Sequence, residues 1–316
     1  MQPLTTPHAT PWTGYLCLAL SMALVGNYVA LSKPLLAVFP VFLLAMLRFA
    51  IGAVAMARWI KKPATEAPLP TQVKWLLFLE SLLGNFLFSI CMLFGMMHTT
   101  AIAAGIILSA IPAVVALLSW ALLKEQVSWK SWLGIACAAV GIALYSLTKA
   151  EQSINIYQAE NGVFGINSVW IGNLLLMGAV LCEASYAVIG KKLTGTLSPK
   201  RISALINMWG LALVLPLGIW SIRSFDVGAV PTSTWMLLVF YGLAASVWTV
   251  WLWMTGLKSV PASQAGVFTV MLPVSAALTG VVFLGESMAW PQVMAFAIAL
   301  CGVLIATYRP RRPRVL

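Results

Sequence analysis

Three charged residues fall inside long apolar stretches: Arg48, Glu80 and Glu183. A charge in hydrocarbon is costly, so each needs a partner or a task. An arginine there can grip a carboxylate through its guanidinium fork. A glutamate in a cavity can meet an amino group or carry a coupling proton. Two other assignments are open: Arg48 and Glu80 can form a structural ion pair between neighbouring helices, and long side chains can reach for the interface. At ~1.5 Å per residue, Glu80 lies about 9 Å inside its helix end, counted from Lys74, and Glu183 about 12 Å, counted from Lys191.

Uncharged polar groups lie equally deep: Asn27, Tyr28, Asn85, Ser185, Tyr186 and Asn207. Such groups face protein or water rather than lipid. Trp248 and Trp251 are three apart and share a helix face. With Trp209 and Tyr241 they can offer flat walls to aromatic solutes or organic cations. Otherwise these rings face lipid or fill helix contacts.

No catalytic pattern accompanies them. GxSxG, HExxH and GxxxxGK[ST] are all missing from the sequence, which argues against a serine hydrolase, a zinc protease and direct ATP coupling. The cysteines (Cys17, Cys91, Cys137, Cys182 and Cys301) lie in apolar segments without a CxxC pair. They are expected to be buried hydrophobes, and no metal, cofactor or enzymatic activity is expected.

The elements that position these residues follow from composition. The chain has 316 residues, of which 61% are apolar and 9% charged, and its mean hydropathy is +0.94. Soluble domains are nearer ~45–50% apolar and ~25% charged. A soluble enzyme, a disordered chain and a nucleic-acid binder are poor fits. Ten segments approach the ~20 residues that cross a bilayer: 12–32, 39–60, 75–97, 100–123, 129–147, 168–190, 202–222, 234–257, 262–284 and 289–308. The predicted fold class is an all-α polytopic membrane protein with ten transmembrane helices. The amino-terminal stretch lacks the basic region of a signal peptide, so the first helix is expected to be retained.

Basic residues orient the bundle. With cytoplasmic termini, 15 of the 19 Lys and Arg residues fall inside; Lys33, Lys149 and Arg223 fall outside, and Arg48 is within a helix. The net charge of +11 is thus mainly an orientation signal. Ten tryptophans near segment ends form an interfacial belt; Trp209, Trp248, Trp251 and Trp253 do not fit it.

The chain also repeats itself. Shifting residues 101–146 by 161 positions gives twelve identities in 46. Gly105 falls on Gly266, Pro112 on Pro273, Glu125 on Glu286 and Trp129 on Trp290. A shift of 158 brings Tyr28 onto Tyr186 and Lys33 onto Lys191. Five helices is an odd number, so the second half enters from the opposite face. The repeats are therefore inverted, an architecture of secondary transporters with the substrate site near the midplane. Residues 1–150 form the first repeat (helices 1–5), 151–167 a polar extracytoplasmic connection, and 168–316 the second repeat (helices 6–10) with a basic cytoplasmic tail. Gly105, Pro112, Gly266 and Pro273 mark hinges or kinks in the fourth and ninth helices. Ser109 and Thr269 lie near them and can bind freed carbonyls.

Each half thus carries a mid-helix proline, then Leu-x-Glu at the helix end, then a glycine-containing last helix. These are Pro112, Leu123-Lys124-Glu125, Gly134 and Gly141, and Pro273, Leu284-Gly285-Glu286 and Gly302. In this the chain resembles the drug/metabolite transporter superfamily, EamA type, and within it is most similar to bacterial aromatic amino-acid exporters of the YddG type. Half two departs at Ala295, where half one has Gly134. The resemblance implies a ten-helix exporter with a central cavity between helices 1–4 and 6–9. The expectation is an inner-membrane secondary transporter exporting small metabolites, aromatic or amphipathic amino acids above all, by alternating access. The substrate-binding candidates are Asn27, Tyr28, Arg48, Glu80, Asn85, Ser109, Glu183, Tyr186, Asn207, Trp209, Tyr241, Trp248 and Trp251. A drug or organic-cation exporter of the same fold is the alternative, and a membrane enzyme or channel the rival from another class. The expected partners are a small-molecule substrate and the bilayer, with no nucleic acid and a monomeric chain. Orientation is directly testable: green fluorescent protein fused after Leu316 will fluoresce and alkaline phosphatase fused there will be inactive, whereas phosphatase inserted within 151–167 will be active. The opposite pattern would invert the assignment.

Overall fold

The computed structural model describes residues 11–62, 68–123, 165–223, 225–259 and 271–307, with isolated positions 129, 133, 136, 137, 140, 265, 268 and 269. All regular structure among the described residues is helical. Lipid offers no hydrogen-bond partner, so a spanning segment must close its backbone bonds internally. Twelve α-helices do this: α1 (Pro11–Leu36), α2 (Val41–Ala55), α3 (Thr71–Glu80), α4 (Phe88–Met97), α5 (Ala101–Leu108), α6 (Ile111–Leu123), α7 (Gly165–Leu193), α8 (Pro199–Ile222), α9 (Thr232–Leu243), α10 (Thr249–Ser259), α11 (Met271–Leu284) and α12 (Trp290–Thr307). Five spans are long and apolar enough to cross a membrane: 12–36, 71–97, 170–193, 199–222 and 232–259. Shorter apolar helices cover 41–55, 103–115 and 271–284. The fifth expected helix, 129–147, lies largely outside the described residues, as do Glu125, Gly266 and the connection 151–164.

The surface is that of a protein in lipid. Val54, Leu174, Met236 and Phe283 are all at least 70% exposed. Patches this apolar are not left facing water in a soluble monomer. Trp12, Trp75, Trp129, Trp170, Trp220 and Trp290 are exposed as well, as a belt requires.

Two long spans are not uniform. The third expected helix runs α3, a π-helical segment (Ser81–Leu87), then α4; the eighth runs α9, a second π segment (Ala244–Trp248), then α10. At the 161-residue shift, 83–87 falls on 244–248. Two π segments at matching places in two repeats is a functional signature, because each widens the ladder and turns its side chains to a new azimuth.

The proline positions correct the expectation of kinks. The fourth expected helix is broken at Ser109 and Ala110. Pro112 and Pro273 sit in the first turns of α6 and α11, where a missing N–H leaves no bond unmade. Ser109 Oγ donates to the Ile106 carbonyl at 2.6 Å. The breaks meet across the repeats: a β carbon on Gly105 would stand 3.2 Å from the Pro273 carbonyl oxygen.

Most helix packing joins one half to the other: α1 lies along α10 and α11, α2 on α8, α4 on α7, and α5 on α11. Ser21 Oγ donates to the Thr249 carbonyl (2.8 Å), Ser81 Oγ to that of Ile206 (2.6 Å) and Thr279 Oγ1 to Asn27 Oδ1 (2.6 Å). Small polar side chains of this kind join helices that have no hydrophobic drive to associate in lipid. The Leu-x-Glu motif has a visible task too. Gly285, at φ +65°, turns the chain after α11. Glu286 Oε1 then accepts from the Ala101 N–H (2.9 Å) at the start of α5 and from Lys33 Nζ (3.3 Å) after α1. A carboxylate at a helix N-terminus satisfies a donor and opposes the dipole.

Two stability predictions follow from this packing. A β carbon on Gly26 would lie 2.6 Å from the Ala276 backbone nitrogen, and backbone cannot step aside. Gly26→Val will destabilise the bundle by about 1–3 kcal/mol, read as a lower melting temperature in detergent. Glu286→Ala will cost about 1–3 kcal/mol by leaving the Ala101 N–H and Lys33 without their acceptor, and Glu286→Gln will lose less than Glu286→Ala in the same assay.

Candidate functional site

One buried cavity opens where the two π segments face each other. Its walls come from α1 (Met22, Val25, Tyr28), α2 (Arg48), the first π segment (Gly84, Asn85), α7 (Glu183, Tyr186) and the second π segment with α10 (Ala245, Thr249, Trp253). Phe88 and Val250 complete it. Its free volume is about 20 Å³, room for about one water molecule. The walls must therefore part before a metabolite can enter.

Arg48 stands on the middle of α2 and is 2% exposed. Its Nη2 donates to Ser89 Oγ at 2.7 Å, and Ser89 Oγ in turn donates to the Asn85 carbonyl. The guanidinium carbon lies 4.2 Å from the Phe49 ring centroid. Nε has no acceptor among the described residues. The ion pair printed by sequence as an option, Arg48 with Glu80, does not form; the salt bridge found among the described residues is Lys33–Glu286. The helix spacing was compatible with a pair, but Arg48 turns toward α4 and the cavity instead. Glu183, 8% exposed, faces the same cavity from α7. A cation and a carboxylate thus share one small enclosed space.

Polar atoms without partners concentrate around it. They include the Tyr186 hydroxyl, Thr249 Oγ1 and Trp253 Nε1 on the wall and the Tyr241 hydroxyl just behind. Buried donors are almost always satisfied in folded proteins. A group of them around one cavity is what a polar ligand would satisfy. Tyr28 and Tyr186, which correspond in the two repeats, face the cavity together, and the Tyr241 ring meets Tyr28 edge-on at 5.8 Å. Tyr186 packs on Gly84, where any side chain would collide with its ring.

Other candidates lie elsewhere. Asn27 accepts from Thr279 between α1 and α11, and Asn207 Nδ2 donates to the Phe49 carbonyl at 3.0 Å between α8 and α2. Ser109 closes the helix break. Glu80 is buried behind the wall rather than on it. The expected tryptophan platform is also corrected. Trp209 is 46% exposed against Phe78, and Trp248 is 37% exposed against Phe240. Trp251 pairs with Trp59 at 6.2 Å, and Lys200 Nζ lies 5.6 Å from the Trp59 ring. The π segment sets the azimuth of α10 so that Thr249, Val250 and Trp253 point inward. A constant α-helical pitch cannot anticipate this. Trp253 had one sequence signal, its misfit to the interfacial belt; Met22, Val25 and Phe88 had none beyond apolarity.

Comparison with known proteins agrees with this architecture. The chain is similar to YetK, an uncharacterized transporter of Bacillus subtilis (strain 168), at 31% identity over 95% of this chain and 88% of that one. It is 27% identical to YwfM, an uncharacterized transporter of the same organism, over 72% of this chain and 74% of that one. An uncharacterized transporter of Archaeoglobus fulgidus matches at 25% identity over 83% and 87%. One solved crystal structure superposes with a TM-score of 0.63 at 19% identity, covering 95% of this chain and 98% of that chain, which shows a shared fold. The EamA-like transporter family matches twice, at residues 12–147 and 170–308, once for each repeat. The chain therefore belongs to the EamA-like transporter family and is a multi-pass membrane transporter built of two repeats.

Proposed function

We propose that this transporter exports small zwitterionic metabolites of the amino-acid type across the inner membrane by alternating access, with aromatic or amphipathic side chains preferred. The observation that carries the proposal is the pairing of Arg48 and Glu183 on one buried cavity. An α-carboxylate suits the free edge of the guanidinium, and an α-ammonium suits Glu183. Binding both at once returns the cavity to neutrality. Phe88, Trp253 and Tyr28 form an aromatic flank for the side chain. The cavity admits only about one water in this conformation, so the cycle includes an occluded state and a wider one. Inverted repeats provide two such states by rocking around one fixed site.

The test is flux in liposomes containing the purified chain. Labelled tryptophan is expected to exchange saturably, with phenylalanine competing better than alanine. Tryptamine, which lacks the carboxylate, and methyl viologen, which has only positive charge, should compete weakly. Strong transport of methyl viologen with none of tryptophan would replace the zwitterion reading with the organic-cation one. Arg48→Met should reduce tryptophan flux by about 10–100-fold, the worth of one or two charge-assisted hydrogen bonds, while leaving tryptamine flux nearly unchanged. Arg48→Lys should recover part of the loss, since an ammonium lacks the fork. Trp253→Ala should narrow the preference for tryptophan over alanine by about 2–10-fold.

A further inference from the structure

Glu80 takes no part in the cavity wall, yet it is the more isolated of the two membrane-embedded carboxylates. It ends α3 where the first π segment begins. It has no exposure, and neither carboxylate oxygen has a hydrogen-bond partner among the described residues. Its Oε1 lies against Gly190 of α7, where a β carbon would stand 2.8 Å away, and Met254 of α10 closes the other side of that glycine. Lys191 and Lys192 follow directly on α7. Glu80 thus sits between the cavity and the lysine-bearing end of the bundle.

The titratable groups that act on it come from α7. They are Glu183, on the cavity wall, and Tyr186, which is within electrostatic reach of both carboxylates. From α8 the neighbour is the Ile206 carbonyl, occupied by Ser81. Lys191 Nζ donates to the Leu257 carbonyl at 2.7 Å, and Arg48 is turned to Ser89. No salt bridge to Glu80 or Glu183 occurs among the described residues. Two carboxylates within reach of each other in a low-dielectric interior cannot both be ionised without a cation between them.

We propose that Glu80 is a proton-binding site that couples transport to the proton gradient, exchanging its proton with the cavity through Tyr186 and Glu183. The proposal rests on the transport reading above and adds its driving force. With a substrate ammonium beside Glu183, the pair carries one negative charge, on Glu183, and Glu80 keeps its proton. When the substrate leaves, Glu183 must be neutralised. The Glu80 O–H bond breaks and its proton goes to the Tyr186 oxygen, while the Tyr186 hydroxyl proton passes to Glu183. No electrons move. Glu80, now charged, takes a proton from the lysine-bearing side, so one proton enters for each substrate released.

Two measurements decide it. The first needs no substrate: the infrared spectrum of the purified protein at neutral pH should contain the carbonyl stretch of a protonated carboxylic acid that is lost in Glu80→Gln. If no such band is lost, the proposal is overturned. The second uses proteoliposomes enclosing pyranine. Tryptophan exchange across the wild-type protein should change internal pH. Glu80→Gln should reduce that change by about tenfold or more, while tryptophan counterflow, which needs no net proton movement, stays within about twofold. Glu80→Asp, which keeps an ionisable group, should restore part of the pH response. A full pH response in Glu80→Gln would overturn the proposal. Wild-type counterflow that is indifferent to a pH gradient would overturn coupling and leave the transporter reading intact. Absence of wild-type counterflow with tryptophan, phenylalanine and alanine would overturn the zwitterion reading, and the infrared band would still decide whether Glu80 holds a proton.

Discussion

The bilayer's inability to hydrogen-bond a peptide group governs this protein. Every carbonyl at membrane depth must find its partner within the protein, so helices are the rule and any interruption must be buried. The breaks obey this. The two π segments face the cavity, and the break at Ser109 and Ala110 is packed against α11. Serine, threonine and asparagine side chains bind backbone at several of these places: Ser21 on Thr249, Ser81 on Ile206, Asn207 on Phe49. The same irregular backbone that lipid would penalise is what supplies a polar cavity.

The second consequence is electrostatic. Arg48 cannot be stabilised by bulk water, and its acidic neighbours do not pair with it. It is held by one serine hydroxyl and an aromatic ring. That leaves part of its hydrogen-bonding capacity for a ligand, which is the usual condition of a binding cation rather than a structural one. Glu183 is in the complementary condition across the cavity. The lone described salt bridge, Lys33 with Glu286, is instead structural: it joins α1, α5 and the turn after α11 at the edge of the bundle. Charge at the rim holds the repeats together, and charge at the centre is left available for a ligand.

Packing across the repeats links these features. Because α1 lies on α10 and α11, and α4 on α7, neither half encloses the cavity alone. Glycines at the crossings allow backbones to approach closely, as Gly26 does with α11 and Gly105 with Pro273. Close contacts of this kind make an interface that shifts between discrete arrangements rather than deforming continuously.

The sequence alone determined the class, the repeat and the chemical inventory. Apolar runs near the bilayer's length leave few alternatives, a constant shift of Gly, Pro, Glu and Trp exposes the duplication, and a charge in an apolar run stands out because it is costly. Tertiary structure decided which of those residues meet. Asn207, Asn27 and Glu80 look like Asn85 and Glu183 along the chain, yet helix rotation sends the first group into helix contacts and the second to the cavity. The tryptophans were misplaced for the same reason: one π segment alters the azimuth of everything after it, and no residue type announces a π segment. Pro112 was read as a kink because its neighbours are apolar on both sides; whether a helix bends or restarts there depends on the packing of α5 against α11. Azimuth and break are properties of packed helices, set by contacts distant in sequence, and only the folded chain contains them.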